Sequence, residues 1–314
     1  MKATTRSALG QLSDMDLRLL RVFKSVVECG GMAAAELELN IGISTVSRHV
    51  KDLETRLGLT LCRRGRAGFA VTSEGQQIYA ETLRLLAGAD AFRRSVDEIH
   101  RQMGGQISVA VFDKTASNPA ARIPQAIALF SELAPDVGLN LHVAPINVIE
   151  RGVIDGQFQV GVIPGHRSSQ TLAYQTLFDE TMLLYCGASH ALFKADTSGM
   201  GWEALNGHPF AGLGYHSPNM EISQKVGLRR QATGYDQESI ATLLLSGKYL
   251  GFLPDHYAKG FVQAGQMWPV KPALFRYVCG FFSIVRRSPE PSRVTSAFHE
   301  CLLRAHQPGA AGPG

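Results

Sequence analysis

The 314-residue sequence lacks the patterns of a membrane protein and of a disulfide-rich secreted protein. No apolar run approaches the roughly 18–20 residues of a membrane-spanning helix, so we expect no transmembrane segment and no membrane partner. The first 16 residues are polar and lack the apolar stretch of a secretory signal. The five cysteines are scattered, without a CxxC pair. These absences predict a cytoplasmic protein without a disulfide framework or a zinc site.

The sequence also lacks the short motifs that mark common enzyme classes. It contains no HExxH, no P-loop, no GxSxG and no complete GxGxxG, and its ten histidines show no metal-ligand spacing. We therefore predict that the protein is not an enzyme, with no catalytic residues, no metal site and no cofactor.

Positive charge is concentrated near the N-terminus. The chain carries 31 Lys and Arg against 27 Asp and Glu, a net charge of +4. Residues 41–70 contain six basic and two acidic residues, so their surplus equals that of the whole chain. A neutral body with one basic end suggests a domain that binds a polyanion. Charge alone equally allows a solvated surface.

Apolar spacing predicts three short helices in this basic region. The first covers residues 16–29 and stops at Gly30-Gly31, and the second covers residues 32–39. A third helix after Gly42 turns Val46, Val50 and Leu53 inward. Two helices around a glycine-containing turn are typical of a helix-turn-helix, whose second helix enters the DNA major groove. The candidate DNA-binding residues of that helix are Ser44, Thr45, Ser47, Arg48 and Lys51.

A hairpin and a long helix are predicted to follow. Two short β runs flank a basic turn, which predicts a wing whose tip arginines, Arg63, Arg64 and Arg66, contact DNA phosphates. Thr72 or Ser73 can then cap a helix that runs to about residue 103. At 1.5 Å per residue it is about 45 Å long, more than one small domain can bury. We therefore predict that it pairs with its copy in a second subunit, through a stripe that includes Leu85 and Phe92.

Strands and helices alternate after Gly104-Gly105, which predicts an α/β domain with parallel strands and right-handed crossovers. The predicted strands are 106–111, 139–143, 160–163, 181–186, 210–213, 250–253 and 277–285. The predicted helices are 119–133, 146–155, 236–246 and 291–304.

The segment from Met15 to Gly75 resembles the winged helix-turn-helix of the LysR-type transcriptional regulators. The resemblance rests on Gly30, the alanines 33–35, Val46-Ser47-Arg48, Leu53-Glu54 and the Val71–Gly75 run, in order and at the family's spacing. It extends more weakly over nearly the whole chain, including the glycine-rich segment 246–254. The chain departs from the family at Gly42, usually Ser, at Glu36, commonly a small Ala, at Cys62, usually Phe, and at Gln159, usually Asp.

The resemblance implies a fold and a set of domain boundaries. The fold class is α/β, with an N-terminal winged helix-turn-helix, a long linker helix and a periplasmic-binding-protein-like effector domain of two α/β subdomains. The implied segments are a tail at 1–14, the DNA-binding domain at 15–72, the linker helix at 73–104, the effector domain at 105–306 and a disordered tail at 307–314. The first subdomain covers 105–180 and 283–306, and the second covers 181–282.

The resemblance also implies a function. The protein is expected to be a sequence-specific DNA-binding regulator of transcription, a homodimer or homotetramer on double-stranded operator DNA, with RNA polymerase as a further partner. A small molecule between the two subdomains is expected to control it. Two alternatives stay open at this point: a solute-binding protein, and an α/β enzyme with a fused DNA-binding head.

Effector-binding residues are predicted where strands end. Ligands of open α/β sheets bind beyond the carboxyl ends of the strands, and helix N-termini at that edge favour an anion. Together with the positive charge of Lys114 and His216, this predicts a small organic acid, with an aromatic one among the candidates. The candidate contacts are Lys114, Thr115, Ser117, Asn147, Tyr215, His216 and Asp236.

Overall fold

A computed structural model describes residues 12–65, 68–99 and 103–307. The chain divides into two compact units, Met1–Ala91 and Phe92–Gly314. None of the described helices is both long and apolar enough to cross a membrane.

The first unit is a winged helix-turn-helix, as predicted. Its elements are α1 (Asp14–Glu28), α2 (Met32–Leu39), α3 (Ile43–Leu57), β1 (Cys62–Gly65), β2 (Gly68–Val71) and the start of α4 (Ser73–Ile99). The inward faces of the first three helices form its core, which includes Phe23, Val46 and Leu53, each at most 1% exposed. Leu85 of α4 packs against the same core.

Local hydrogen bonds set where these helices begin. Ser13 caps α1, and Asp16 accepts a bond from the Ser13 amide in return, a reciprocal box that starts the helix two residues before the predicted position. Thr72 caps α4 through a 2.9 Å bond from the Gly75 amide. A Cβ on Gly75 would lie 2.2 Å from the carbonyl oxygen of Leu61, so only glycine lets α4 start this close to the residue before β1.

The wing differs from its prediction. The first strand begins at Cys62, and Arg63 and Arg64 lie within β1, opposite Ala70 and Phe69 of β2. They are therefore strand residues and not residues of the turn. Arg66 lies outside the described residues.

The second unit contains both β-strands and α-helices. Its elements are β3 (Gly105–Val111), α5 (Ile123–Leu133), β4 (Val137–Val143), α6 (Ile146–Ile154), β5 (Val160–Pro164), β6 (Leu172–Gly187), β7 (Phe210–Leu213), α7 (Pro218–Lys225), β8 (Arg230–Gly234), α8 (Gln237–Leu245), β9 (Leu250–Pro254), α9 (Asp255–Gln263), β10 (Met267–Pro269), β11 (Arg276–Arg286) and α10 (Arg293–Ala305). Short 3-10 turns cover Thr115–Ser117 and Trp202–Gly207.

Nine strands form one sheet in the order β4-β3-β5-β11-β6-β9-β7-β8, with β10 paired to β6. The pairs β3–β4, β3–β5 and β7–β9 are parallel, as predicted, and β7 also pairs in parallel with β8, a strand that the sequence analysis did not predict. The long strands β6 and β11 run antiparallel to each other and to their other neighbours. The sheet is therefore mixed. Since β6 and β11 pair along most of their length, they join a half that contains β3–β5 to a half that contains β7–β9.

Each half of this unit has its own core. Phe130 packs edge-on against Phe298 in the first half, with ring centroids 5.2 Å apart, and Phe210 packs against Phe252 in the second at 6.0 Å. The sequence analysis did not predict α7, β8, α9 or β10. It began α5 at residue 119, whereas the helix begins at Ile123, because Arg122 has a left-handed backbone with φ of 36°.

Candidate functional site

The outward face of α3 carries polar and basic side chains. Ser44, Arg48 and Lys51 are exposed, whereas Thr45 and Ser47 are half-buried. Arg48 forms no ion pair with any described residue, so its five N–H donors are free to bind an acceptor outside the chain. The side chains of this face carry hydrogen-bond donors, and the base edges in a DNA major groove include acceptors for such donors.

An unpredicted histidine faces the other way on the same helix. His49 is 7% exposed, and neither of its ring nitrogens has a hydrogen-bond partner in the structure. It occupies an inward position between Val46 and Val50, and the apolar repeat alone gave no reason to place a polar ring there.

The acidic side chain of Glu36 lies at the N-terminus of α3. Gly42 is the N-cap residue and offers no side-chain bond, but the Ile43 amide donates to Glu36 Oε1 at 3.1 Å. A carboxylate also suits the positive end of a helix. The two departures from the family pattern thus complement each other, since Glu36 supplies the acceptor that Gly42 lacks.

The basic residues near α3 differ in whether an acidic side chain of the protein binds them. Arg56 is bonded to the buried carboxylate of Asp16, with Nη2 and Oδ2 2.8 Å apart, and is committed to the fold. Arg63 on β1 is exposed. Arg64 belongs to β1 by its backbone, and Arg66 is outside the described residues. Apart from Arg56, the exposed basic side chains that the structure describes on α3 and β1 are therefore Arg48, Lys51 and Arg63.

A cleft lies between the two halves of the second unit. It is narrow and partly open to solvent, and the centres of water molecules can occupy about 20 Å³ of it. It collects the ends of β3, β5 and β7, the starts of α6, α7 and α8, and side chains of β6 and β11. Its lining residues are Phe112, Ile146, Pro164, Glu180, Met182, Leu213, Ser217, Pro218, Asn219, Gln237, Tyr277 and Cys279.

Glu180 of β6 is the acidic residue of this lining, and it is 3% exposed. Its Oε1 accepts from Asn118 Nδ2 at 3.3 Å and lies 2.8 Å from His256 Nε2. Burial raises the pKa of the neighbouring Cys279 thiol and of the Tyr277 hydroxyl, which keeps both groups neutral. No lysine or arginine is among the twelve described lining residues.

Asp113 connects the two halves beside the cleft. Its Oδ2 accepts from the Gln237 amide at 2.7 Å, at the first residue of α8, while its Oδ1 has no partner. Burial, opposed by that amide bond, raises the pKa of the carboxyl to about 6. The pKa of Asp236, the α8 N-cap, is shifted in the opposite direction, because hydrogen bonds from the Ser239 hydroxyl and amide lower it.

The seven predicted effector residues lie in loops and at helix starts next to the cleft, but none of them lines it. Residues one or two positions away in the sequence do instead: Phe112, Ile146, Ser217 and Gln237. These neighbours belong to the same segments as the predicted residues, and the effector contacts themselves stay a prediction.

Several of the seven already have partners within the chain. Lys114 is paired with Glu238, and its Nζ lies 4.6 Å from the centre of the Tyr257 ring. Ser117 Oγ lies 3.0 Å from His256 Nδ1. Since Glu238 and His256 belong to the second half, these bonds link the two halves.

The other predicted residues are more varied. Thr115 is buried and Asn147 is exposed. The Tyr215 hydroxyl is buried without a partner. His216 is exposed and lies 3.6 Å from Glu221, and Asp236 is occupied as a helix cap. Of these five residues, only Tyr215 has a buried polar atom without a hydrogen-bond partner among the described residues.

Comparison with family models gives two matches along the chain. Residues 17–76 match the model of the bacterial regulatory helix-turn-helix protein, lysR family. Residues 100–307 match the LysR substrate binding domain. Within the described residues, no group of His, Cys, Asp and Glu side chains is arranged to hold a metal ion.

Curated relatives extend over the same length. The HTH-type transcriptional activator BauR of Pseudomonas aeruginosa is 36% identical over 302 residues, which cover 96% of this chain and 99% of the relative. The probable HTH-type transcriptional regulator LrrA of Synechococcus elongatus is 27% identical over 217 residues, 69% of this chain and 71% of the relative.

Solved structures share the fold. Full-length CbnR in complex with its target DNA aligns with a TM-score of 0.63 at 18% identity, over 93% of this chain and 100% of that one. A full-length OxyR variant from Pseudomonas aeruginosa aligns with a TM-score of 0.56 at 18% identity, over 94% and 95% of the two chains.

Proposed function

The chain belongs to the LysR family of bacterial transcriptional regulators, and from this premise we propose that it binds operator DNA as a homodimer or homotetramer under the control of a small organic effector. Both parts of the chain match one family of regulators. The two alternatives, a solute-binding protein and an α/β enzyme with a fused DNA-binding head, therefore have no separate support. The protein acts in the cytoplasm, where its DNA is.

The observation that carries the DNA-binding role is the exposed basic face of α3. Arg48 projects from the helix without an internal partner and can donate two bonds to a guanine edge. Arg63 on the wing strand meets phosphates instead, since a wing lies along the backbone of the duplex. Two copies present two α3 helices to half-sites, and the two-fold symmetry of the protein is then mirrored in the operator.

A second subunit is supported by α4. Phe92 on this helix is 71% exposed, which is unusual for a large aromatic side chain. Pairing of α4 with its copy would remove that ring from water.

Control by an effector requires two conformations with different affinity for the ligand. The cleft lies between two halves joined by the strands β6 and β11 and by bonds such as Asp113 to Gln237. A ligand there changes how the halves meet only to the extent that it binds one arrangement better. Since the relative BauR is named a transcriptional activator, we propose activation, with RNA polymerase as the partner that responds.

The test compares Arg48→Ala with Arg63→Ala in mobility shifts on the DNA beside the protein's own gene and on random DNA. Arg48→Ala should lose about 1–3 kcal/mol on the operator alone and relax sequence preference. Arg63→Ala should weaken binding to both DNAs alike and reduce the salt slope by about one unit. Equal losses on operator and random DNA for Arg48→Ala would contradict the assigned base contact.

A further inference from the structure

The cleft between the two halves of the second unit contains buried polar atoms with unused hydrogen-bonding capacity. Asn219 and Gln237 both line it and are each 2% exposed. Gln237 Oε1 has no hydrogen-bond partner among the described residues, and Asn219 Nδ2, which carries two N–H donors, has none besides the neighbouring Tyr277 hydroxyl. More than nine in ten buried polar groups in folded proteins are bonded, so two such atoms in one cleft indicate groups that a ligand satisfies.

These atoms specify what the ligand must offer. Gln237 Oε1 is an acceptor and requires a donor on the ligand, whereas Asn219 Nδ2 is a donor and requires an acceptor. Asp113 Oδ1, beside the lining residue Phe112, is a further unpartnered acceptor. The ligand therefore carries donors on one side and an acceptor on another.

The charge of the cleft selects the kind of donor. Glu180 is buried in the lining, where its Oε1 lies 2.8 Å from His256 Nε2. Asp113 adjoins the lining, whose twelve residues include no lysine or arginine. Lys114 is held by Glu238 and does not line the cleft. A ligand whose only charge is negative would meet like charge here, whereas a cation would be attracted.

We propose that the cleft binds a small primary amine, whose ammonium group donates to Glu180 and Gln237 and whose other end presents an acceptor to Asn219. Apolar carbons of the ligand pack between Phe112, Met182 and Leu213. This inference rests on the proposed control by an effector and names its chemical class. An ammonium ion has three donors, enough for both acceptors.

Matched ligands of two to six carbons test the proposal on the full chain. Each carbon skeleton is used as the carboxylic acid, the amino acid with a terminal amine, the monoamine and the amino alcohol, for example butyrate, 4-aminobutyrate, butylamine and 4-aminobutanol. Melting temperature and calorimetric titration give binding without DNA. We expect binding by amine-bearing members that also carry an acceptor and none by their amine-free partners. Binding by the acids alone, or by no amine of the series, overturns the proposal.

Variants assign the contact. Glu180→Gln keeps the side-chain shape and removes the charge, and it should raise the Kd of the bound amine by about 10- to 100-fold. The matched control is Glu150→Gln, a buried acid of α6 that pairs with Arg167 and does not line the cleft. It should leave that Kd unchanged. Should Glu180→Gln fail to fold, Gln237→Leu removes the second acceptor and should raise the Kd several-fold. Unchanged amine binding by the folded variant overturns the assignment.

Operator binding measured in parallel separates the two claims. If an amine binds in the cleft and operator affinity does not change, the proposed control by an effector fails while the site stands. If an amine-free molecule alters operator binding and the amines do not bind, the inference about ligand class fails while the regulator stands.

Discussion

Asp113 shows how one side chain can matter to both the stability and the conformation of the second unit. Its carboxyl accepts the first amide of α8 across the cleft, yet its second oxygen is buried without a partner. The amide bond favours the ionised form, whereas burial opposes it more strongly. The contact that joins the two halves is therefore made by a carboxylate that is costly to keep charged.

We expect Asp113→Asn to stabilise the protein at neutral pH. The folded pKa of about 6 exceeds the ordinary value of 3.8, so the folded state binds the proton more tightly than the unfolded chain does. Stability from this group is complete below about pH 4 and is lost as pH rises through 6, by at most about 3 kcal/mol. Urea unfolding at pH 7.5 should favour the variant, and the difference should shrink by pH 4.5.

The matched control is Asp236→Asn. The lowered pKa of Asp236 means that its charged form contributes stability at neutral pH, which is lost as pH falls through its folded pKa. This variant should therefore be less stable than the parent at pH 7.5. A loss of stability for Asp113→Asn at pH 7.5 would contradict the account of Asp113.

At the level of an element, α3 depends on a cap that comes from another helix. An N-cap usually satisfies the first amides of its own helix, but Gly42 has no side chain to do so. Glu36 of α2 fills the role from seven residues away. This bond links the start of α3 to α2, so it affects the position as well as the stability of α3.

We expect Glu36→Ala to cost about 1 kcal/mol of stability, within the range for lost helix caps. Gly42→Ser should restore most of it, because a Cβ at Gly42 has no atom within 4 Å and serine is a favoured N-cap. Denaturant unfolding of both single variants and the double variant measures the coupling. Glu38→Ala on the same helix is the control. Equal effects of Gly42→Ser in the parent and in Glu36→Ala would mean that Glu36 is not the cap.

At the scale of the whole molecule, we expect subunit assembly to depend on α4. Leu85 packs against the core of its own N-terminal unit, whereas Phe92 is mostly exposed. The predicted stripe therefore divides into a part that stabilises the fold and a part that can contact another subunit.

We expect Phe92→Asp to reduce the mass in light scattering and to weaken operator binding with little change in the melting temperature of the dissociated chain. Leu85→Asp should instead lower the melting temperature, because it places a charge against the core. Gln77→Asp, on an exposed position of α4, serves as the control. A normal mass with normal operator binding in Phe92→Asp would show that subunits do not meet through this residue.

The sequence by itself determined which face of α3 is polar, where α4 starts and where most strands of the second unit lie. These features depend on the apolar repeat, helix caps and glycines within a few residues of one another. It located the loops of the cleft for the same reason, since strands such as 106–111 end at one edge of a sheet. The tertiary structure alone decided which side chains line that edge. Gln237, Asn219 and Glu180 come from three separate elements, and their orientation depends on how β6 and β11 bring the halves together. The short elements α7, β8, α9 and β10 likewise owe their formation to packing on the sheet and not to a repeat of their own.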